Sequence, residues 1–511
     1  MANGPDTHIG CNTPPGDDPP AAVVSVEVIR EEEPPDLRLI AAPVNDLTHA
    51  ELFAERFGNE FAHVRGVGWY RFNGRYWGLD AEVEARSCAG QINKSRVDAL
   101  DRLVASPGVP DATLARAAVK LRQLEKHGNR RSLDGVVELA ADYLGVAADR
   151  FDQDPWLLNA DNGVIDLRNG ALLPHDPQQY QSRCTGIIYD PEARSELWEN
   201  TVYEVSDGDA ELASFHQVVG GVVASGDASI QRFLFYFGAG ANGKSLMTAL
   251  MAEALGGFGA TGYAVRLPCE TVAGHRERDG DAPAPSLLAL RGKRLALFDE
   301  QNADKAFNAE RIKNLTGGDA QYARAPHKAN GVTFAPTWTL IGAGNHKPLV
   351  HASDYGLWRR MLLVPFRRTF KPSSLADDLR RELPAILAWM VRGAIRFYQE
   401  KELVIPDIIK QESRAYQIEA DIILLWMAER ASAGDRPMEE DGKVLFREFD
   451  TWRDERREAV ITHSMFSRRL GQLGWTYRDT NGHRLWRRPH VAAPPAPEPS
   501  EKPGETAPVS P

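Results

Sequence analysis

Eight residues, Gly238-Ala239-Gly240-Ala241-Asn242-Gly243-Lys244-Ser245, constrain this chain more than any other segment. They satisfy G-x-x-x-x-G-K-[ST], follow the apolar run FLFYF and precede the helical run SLMTALMAEAL. By residue frequencies the pattern arises by chance in roughly one chain in a hundred of this length. A strand–loop–helix context lowers that further. Glycines let successive backbone N–H groups turn inward around phosphate oxygens, and the helix that follows adds the positive end of its dipole. In such a loop Lys244 reaches the β- and γ-phosphates of a nucleotide, and the Ser245 hydroxyl binds Mg²⁺. ATP and Mg²⁺ are the substrate and metal this pattern implies.

A nucleotide hydrolase then needs acidic groups at the tip of a neighbouring strand to hold the metal and orient water. Arg294-Leu295-Ala296-Leu297-Phe298-Asp299-Glu300 supplies an apolar strand ending in two carboxylates. Asp299 is the candidate metal-associated residue and Glu300 the candidate for polarising water. A third apolar run, Thr337–Ile341, leads through Gly342-Ala343-Gly344 to Asn345, a candidate for contacting the γ-phosphate. His346 beside it reads as structural, since no metal-ligand constellation surrounds it. Arg359 and Arg360 precede a last apolar run, Met361–Phe366. A planar guanidinium there can neutralise charge on a transferring phosphoryl group, supplied in a ring-forming ATPase by the adjacent subunit. The pair can equally bond carboxylates on its own surface.

Around these motifs, residues 205–370 alternate helical patterns with short apolar strands, which predicts a three-layer α/β domain with a largely parallel sheet. Residues 46–204 read as an α+β domain. There Leu47–Phe61 has helical spacing, and Trp69–Trp77 reads as two aromatic strands around Asn73-Gly74. Their rings could stack on bases, but cross-strand packing is the simpler reading. A helical stretch covers roughly 82–147. Residues 371–440 read as a helical lid and 441–490 as a compact basic unit. Residues 1–45 and 491–511 are rich in Pro, and the first also in Asp and Glu. Both are expected to be disordered, since neither buries enough apolar surface to offset ordering entropy. Cys11, Cys88, Cys184 and Cys269 form no C-x-x-C pair, which argues against a disulfide framework or a zinc ribbon and for a reducing cytoplasm. No run of about 18 apolar residues marks a membrane span. The net charge of −11 argues against a passive nucleic-acid coat, yet leaves room for a local basic channel.

With four motifs in this order, the chain resembles the superfamily 3 helicases, and among them the phage and plasmid primase-helicase type related to the poxvirus helicase-primase. Asn162–Pro177 (NGVIDLRNGALLPHDP) matches that family's NGxxDLxxGxLxPHxP segment. FYFGAGANGKS, LRGKRLALFDE, IKNLTGGD, NHKP and LWRRMLLVPF match its later blocks, so the likeness covers roughly 46–490. The resemblance implies an AAA+-type P-loop core and a homo-hexameric ring that moves along single-stranded or forked DNA during replication. It implies a hairpin between the acidic strand and the Asn345 strand whose tip grips the DNA, which puts His327 and Lys328 on phosphates. It implies that Arg360, directly before the last strand, acts in trans, with Arg359 the fallback. Asn242 shapes the phosphate loop. The implied setting is the cytoplasm of a bacterial host, in a phage or other mobile element.

Many relatives also carry an N-terminal primase domain. Only the leader precedes the aligned region, and no hydrophobic-Asp-x-Asp pair in an early strand offers to hold two metals. Primer synthesis is therefore expected of a separate primase rather than of this chain. Two other readings stay open: a replication initiator that binds DNA without unwinding it, and a primase site concealed in 46–200.

The C-terminal unit carries its own signal. Gly442–Arg453 and Thr462–Leu473 are helical by pattern, and Trp475–Trp486 reads as a hairpin around Asn481-Gly482, a winged-helix outline. From Thr462 to Pro489 there are six arginines against one acid, Asp479. That surplus predicts a DNA-binding face including Arg468, Arg469 and Arg484. The alternative is a solvated lid whose charges meet acidic neighbours.

Overall fold

The computed structural model describes residues 37–273, 284–299, 306–324, 326, 331–350, 354–369, 375–432, 437–458, 460–480 and 483–488. Its centre is a five-stranded parallel sheet ordered Met361–Pro365, Phe233–Phe237, Thr339–Gly344, Leu295–Asp299, Ala264–Arg266. Numbered along the chain, that order is 5-1-4-3-2. Strands buried on both faces need apolar side chains in both directions, and FLFYF, LALFD and MLLVP supply them. The fourth strand runs Thr339–Gly344, so Gly342-Ala343-Gly344 lies inside it and not beyond it as expected. A Cβ at Gly342 would fall 2.7 Å from Phe298 Cε2 and 2.8 Å from Phe235 Cδ2, so glycine is what lets those rings pack over the strand. Ala264–Arg266 has no counterpart in the sequence reading. At three residues on the sheet edge it is too short to show a pattern.

The helix Ala210–Ser225 precedes the first strand and packs on Leu383–Glu400, which lies in the stretch read as a lid. Their backbones meet at Gly221 and Gly393, and Gly220 faces the Trp389 and Met390 side chains. A Cβ at Gly221 would overlap the backbone of Ala394, and one at Gly393 would overlap Gln217 O. Both helices feed one apolar core with Tyr236, Met251 and Trp389, so this part of the expected lid is integral to the domain.

The N-terminal unit is α+β. The helix read over Leu47–Phe61 stops at Phe57, and Phe61–Val64 is instead a strand paired with Gly68–Phe72. Gly68–Phe72 in turn pairs with Trp77–Leu79 around the Asn-Gly turn. Trp69, Tyr70 and Trp77 are buried, so the aromatic run is cross-strand packing and not a stacking platform. Three helices, Glu82–Ala105, Asp111–His127 and Arg130–Tyr143, occupy the helical stretch. Residues 37–45, expected within the disordered leader, are packed. Arg96 donates to the carbonyls of Leu39 (3.1 Å), Pro43 (3.0 Å) and Ala42, and Lys120 to those of Ile40 (2.6 Å) and Ala41 (2.8 Å). These two cations satisfy a backbone that sequence composition marks as unstructured.

Lys293 and Arg294 of the GKR segment are buried and structural. Lys293 Nζ donates to Gly259 O (2.9 Å) and Gly262 O (2.5 Å), and its desolvation lowers the ammonium pKa to about 7. Arg294 donates to Ala224 O in the core and to Leu157 O in the N-terminal unit, with its guanidinium over the Tyr263 ring at 4.8 Å. Arg291 adds a 3.1 Å bond to Tyr70 Oη and a 3.2 Å bond to Ala148 O. The two units are thus joined through charged groups bonded mostly to main-chain carbonyls.

Residues 437–488 form two helices, Gly442–Glu455 and His463–Gln472, and a three-stranded antiparallel sheet ordered Glu439–Asp441, His483–Arg487, Thr476–Thr480. Asp441 and Thr462 cap the helices as side-chain acceptors. Among the described residues no helix is long and apolar enough to cross a membrane.

Candidate functional site

In a parallel sheet every strand delivers its carboxyl end to the same edge, where ligands of open α/β sheets bind. Here Phe237 is level with Gly344, and Ala343 is level with Asp299. One edge therefore carries the glycine-rich loop, Asp299 and Asn345 side by side, with Asn345 exposed just past its strand. This meeting of three sequence-distant candidates is fixed by strand register alone.

The loop itself is locked by its own polar groups. Gly238 (φ 152°), Ala241 (φ 58°) and Gly243 (φ 84°) have positive φ, turning the backbone toward one side. A Cβ at Gly238 would overlap Phe366 O, whereas at Gly240 it would meet nothing within 4 Å, so the loop is tight at its root and open at its crown. Asn242 is buried and donates to Phe366 O at 2.9 Å, tying the loop to the end of the last strand. Lys244 opens the helix Lys244–Ala254 and folds its ammonium back onto Gly238 O (2.6 Å) and Asn242 Oδ1 (2.8 Å). Burial pushes that ammonium below the ordinary lysine pKa. A desolvated cation held only by neutral oxygens gains from an incoming anion.

Ser245 is exposed on the first turn of that helix. Its hydroxyl and the Asp299 carboxylate are hard-oxygen donors at the same sheet edge, the chemistry Mg²⁺ takes. The residues present therefore fit the metal. In this state Asp299 is paired with Arg266 of the edge strand. Among the described residues no cluster of three or more His, Cys, Asp or Glu could hold a metal ion by itself. Glu300 lies outside the described residues.

Arg359 and Arg360 sit at the opposite edge, because the strand they precede starts level with Phe233. Arg360 Nη1 donates to Thr316 O at 3.0 Å and Gln231 O at 3.3 Å. Those bonds use Nη1 alone, and among the described residues Nε is buried without a partner. Arg359 is exposed, and among the described residues its carbonyl accepts from Arg232 at 3.2 Å.

Between the third and fourth strands, Gln321–Ala323 and Val332–Phe334 form an antiparallel hairpin, as expected. His327 and Lys328, expected at its tip, lie outside the described residues. In the C-terminal unit Arg468 is exposed, and Arg484 is exposed with its guanidinium 4.1 Å from the Tyr477 ring centroid and an ion pair to Asp479. Arg469, expected on the same face, is buried. It donates to Asp421 Oδ2 from Nε at 2.7 Å and also from Nη2. Its neighbour in sequence points outward because adjacent helical residues are about 100° apart. The helical pattern alone distinguishes the two only once the buried partner Asp421 is known.

Residues 50–207 match the family model described as D5 N terminal like. The chain is similar to the protein provisionally named helicase L207/L206 of Acanthamoeba polyphaga mimivirus, at 24% identity over 73% of this chain and 42% of that one. It is similar to the protein provisionally named helicase 184R of Invertebrate iridescent virus 6, at 26% identity over 68% of this chain and 39% of that one. It also resembles the protein provisionally named primase C962R of African swine fever virus, at 25% identity over 41% of this chain and 22% of that one. The chain thus spans about two fifths of the first two relatives.

Proposed function

We propose that the chain is a D5-like superfamily 3 helicase, an ATP-dependent DNA helicase of a phage or other mobile element, because residues 50–207 match the D5 N terminal like model and the chain is similar to viral proteins provisionally named helicases. It acts as a ring on single-stranded DNA during replication. The observation that carries the reading is the alignment of the Gly238–Ser245 loop, Asp299 and Asn345 on one sheet edge. The 5-1-4-3-2 strand order with the loop after strand 1 supports an AAA+-type core, and the two helices with a three-stranded sheet support a winged-helix unit.

ATP binds with its phosphates in the loop, where Lys244 exchanges Gly238 O and Asn242 Oδ1 for β- and γ-phosphate oxygens. Ser245 and Asp299 would hold Mg²⁺, which would supply charge neutralisation at the phosphates. Arg266 releases Asp299 for that task. Glu300 orients the attacking water and accepts its proton, and Asn345 contacts the γ-phosphate. A cation from the neighbouring subunit completes the site. Arg359, exposed, is the candidate for it, with Arg360, whose Nη1 bonds Thr316 and Gln231, the alternative. The hairpin tip with His327 and Lys328 grips phosphates, and Arg468 and Arg484 extend the contact with duplex or fork.

The test is ATP-dependent unwinding of a forked duplex, with ATP hydrolysis measured with and without single-stranded DNA. Unwinding by wild type, together with basal hydrolysis but no unwinding by Lys328→Ala, supports the motor and its hairpin. Hydrolysis and DNA binding without strand displacement would replace the motor with a non-unwinding initiator. Nucleotide incorporation on an unprimed template would instead reveal a primase site.

A further inference from the structure

The helix Asp407–Ala420 touches three parts of the nucleotide-site sheet and then ends on the residue that grips the C-terminal unit. At the sheet, Lys347 lies two residues past Asn345. Its ammonium pairs with Glu419 Oε2 at 2.9 Å and sits 5.1 Å from the Tyr416 ring centroid and 5.9 Å from that of Phe237. Phe237 is the residue immediately before the glycine-rich loop. Tyr416 Oη donates to Pro348 O and its ring meets Trp358 at 5.4 Å, directly before Arg359. Ser413 Oγ accepts from Leu363 N at 3.0 Å on the last strand.

Two residues after Glu419, Asp421 divides its two oxygens. Oδ1 accepts from Ile423 N (3.0 Å) and Leu424 N (3.3 Å), capping the next helix, while Oδ2 takes the buried Arg469 guanidinium. Arg469 belongs to the helix that presents Arg468 outward. The last turn of the helix is thus bonded both to the loop after Asn345 and, through Asp421, to an arginine-bearing helix, so neither contact can shift without the other.

We propose that the last turn of the helix Asp407–Ala420 couples nucleotide occupancy to DNA affinity of the C-terminal unit, with Lys347 a positioning residue against Glu419 and Tyr416 and Asp421 the joint to Arg469. The proposal rests on the nucleotide-site reading above. A phosphate contact that shifts Asn345 displaces Lys347, and the Glu419 and Tyr416 contacts pass that displacement to Asp421 and Arg469. Coupling of this kind is reciprocal, so DNA alters nucleotide affinity by the same factor.

The test uses the full chain, a fluorescent ATP analogue with Mg²⁺ and a labelled single-stranded oligothymidylate. Each affinity is measured alone and with the other ligand saturating. Wild type is expected to change DNA affinity by about fivefold or more when nucleotide is bound. Lys347→Met should bind each ligand alone as wild type does, with the coupling reduced to within about twofold of none. Lys347→Arg, which keeps the charge for Glu419 and the ring contact with Tyr416, should retain the coupling. Asp421→Asn keeps an acceptor for the helix cap and removes the charge facing Arg469, and should lose coupling as Lys347→Met does. Full coupling in Lys347→Met overturns the proposal, as does a wild type that binds both ligands with no mutual effect. A wild type that binds DNA but no nucleotide overturns the nucleotide-site reading itself, and the proposal with it.

Discussion

Lys244 donates a 2.8 Å hydrogen bond to Asn242 Oδ1 while Asn242 Nδ2 donates to Phe366 O, so one buried carboxamide holds both the loop lysine and the end of the last strand. Asn242→Ala removes both bonds at once and leaves the Phe366 carbonyl without that donor. Leaving a buried acceptor unpaired costs about 1–3 kcal/mol. The expected outcome is a lower denaturation midpoint together with weaker nucleotide binding. Loss of stability with unchanged nucleotide affinity would make Asn242 a purely structural strut. By contrast, Lys244→Ala should abolish hydrolysis and unwinding and leave the fold intact, since only the ammonium's own loop contacts are lost.

The two arginines before the last strand should separate cleanly. Arg359→Ala, at an exposed position, is expected to lower turnover by about 10³-fold or more, the scale of a trans-acting arginine, with nucleotide affinity and thermal stability kept. Arg360→Ala should instead lower stability, because Thr316 O and Gln231 O lose their donor. Mixing Arg359→Ala with Lys244→Ala subunits tests the trans geometry. Some hydrolysis should return where an intact loop faces an intact Arg359, and none would return if the arginine acted within its own chain.

Much of this arrangement was legible before the structure. The loop, the acidic strand and the Asn strand each announce themselves by an apolar run ending in a polar or glycine-rich tip, and strand register then aligns them. What was not legible depends on long-range partners. Arg469 and Arg468 look alike in sequence, and only Asp421, 48 residues earlier, decides which is buried. Residues 37–45 look like linker because their ordering comes from Arg96 and Lys120 on other helices. Ala264–Arg266 is an edge strand of three residues, defined by pairing with its neighbour and not by any pattern of its own. Gly342 read as lying beyond its strand because nothing local reveals that Phe235 and Phe298 lie over it.

That glycine gives a packing prediction. Gly342→Ala places a methyl group 2.7–2.8 Å from atoms of Phe298 and Phe235 in the strand between the glycine-rich loop and Asp299. Overpacking of this kind typically costs about 1–3 kcal/mol. The melting temperature should fall, and hydrolysis should fall with it, because the clash sits between two elements of the site. A variant with wild-type stability would show that the rings have room to rotate away.

Acid should destabilise the protein through two buried histidines. His216 is fully buried among Phe215, Tyr236 and Phe366, and neither ring nitrogen has a hydrogen-bond partner among the described residues. Desolvation lowers its pKa to about 3. His49, stacked on His127 at 4.2 Å, is lowered to about 4, by burial first and despite its bond to Asn45 O. Both folded values lie below the ordinary 6.5, so the unfolded chain takes up protons that the folded chain refuses. Their contribution is complete above pH 6.5 and is lost as pH falls, over the window from 6.5 down to the folded values. One pH unit below 6.5, the two together remove on the order of 3 kcal/mol. Chemical denaturation at pH 7.5 and 5.5 should show this loss, and His216→Leu should reduce it by about half. The comparison between wild type and variant isolates the histidine, because every carboxylate titrates in both. An identical pH dependence in the variant would mean that His216 accepts a proton in the folded state as readily as in the unfolded one.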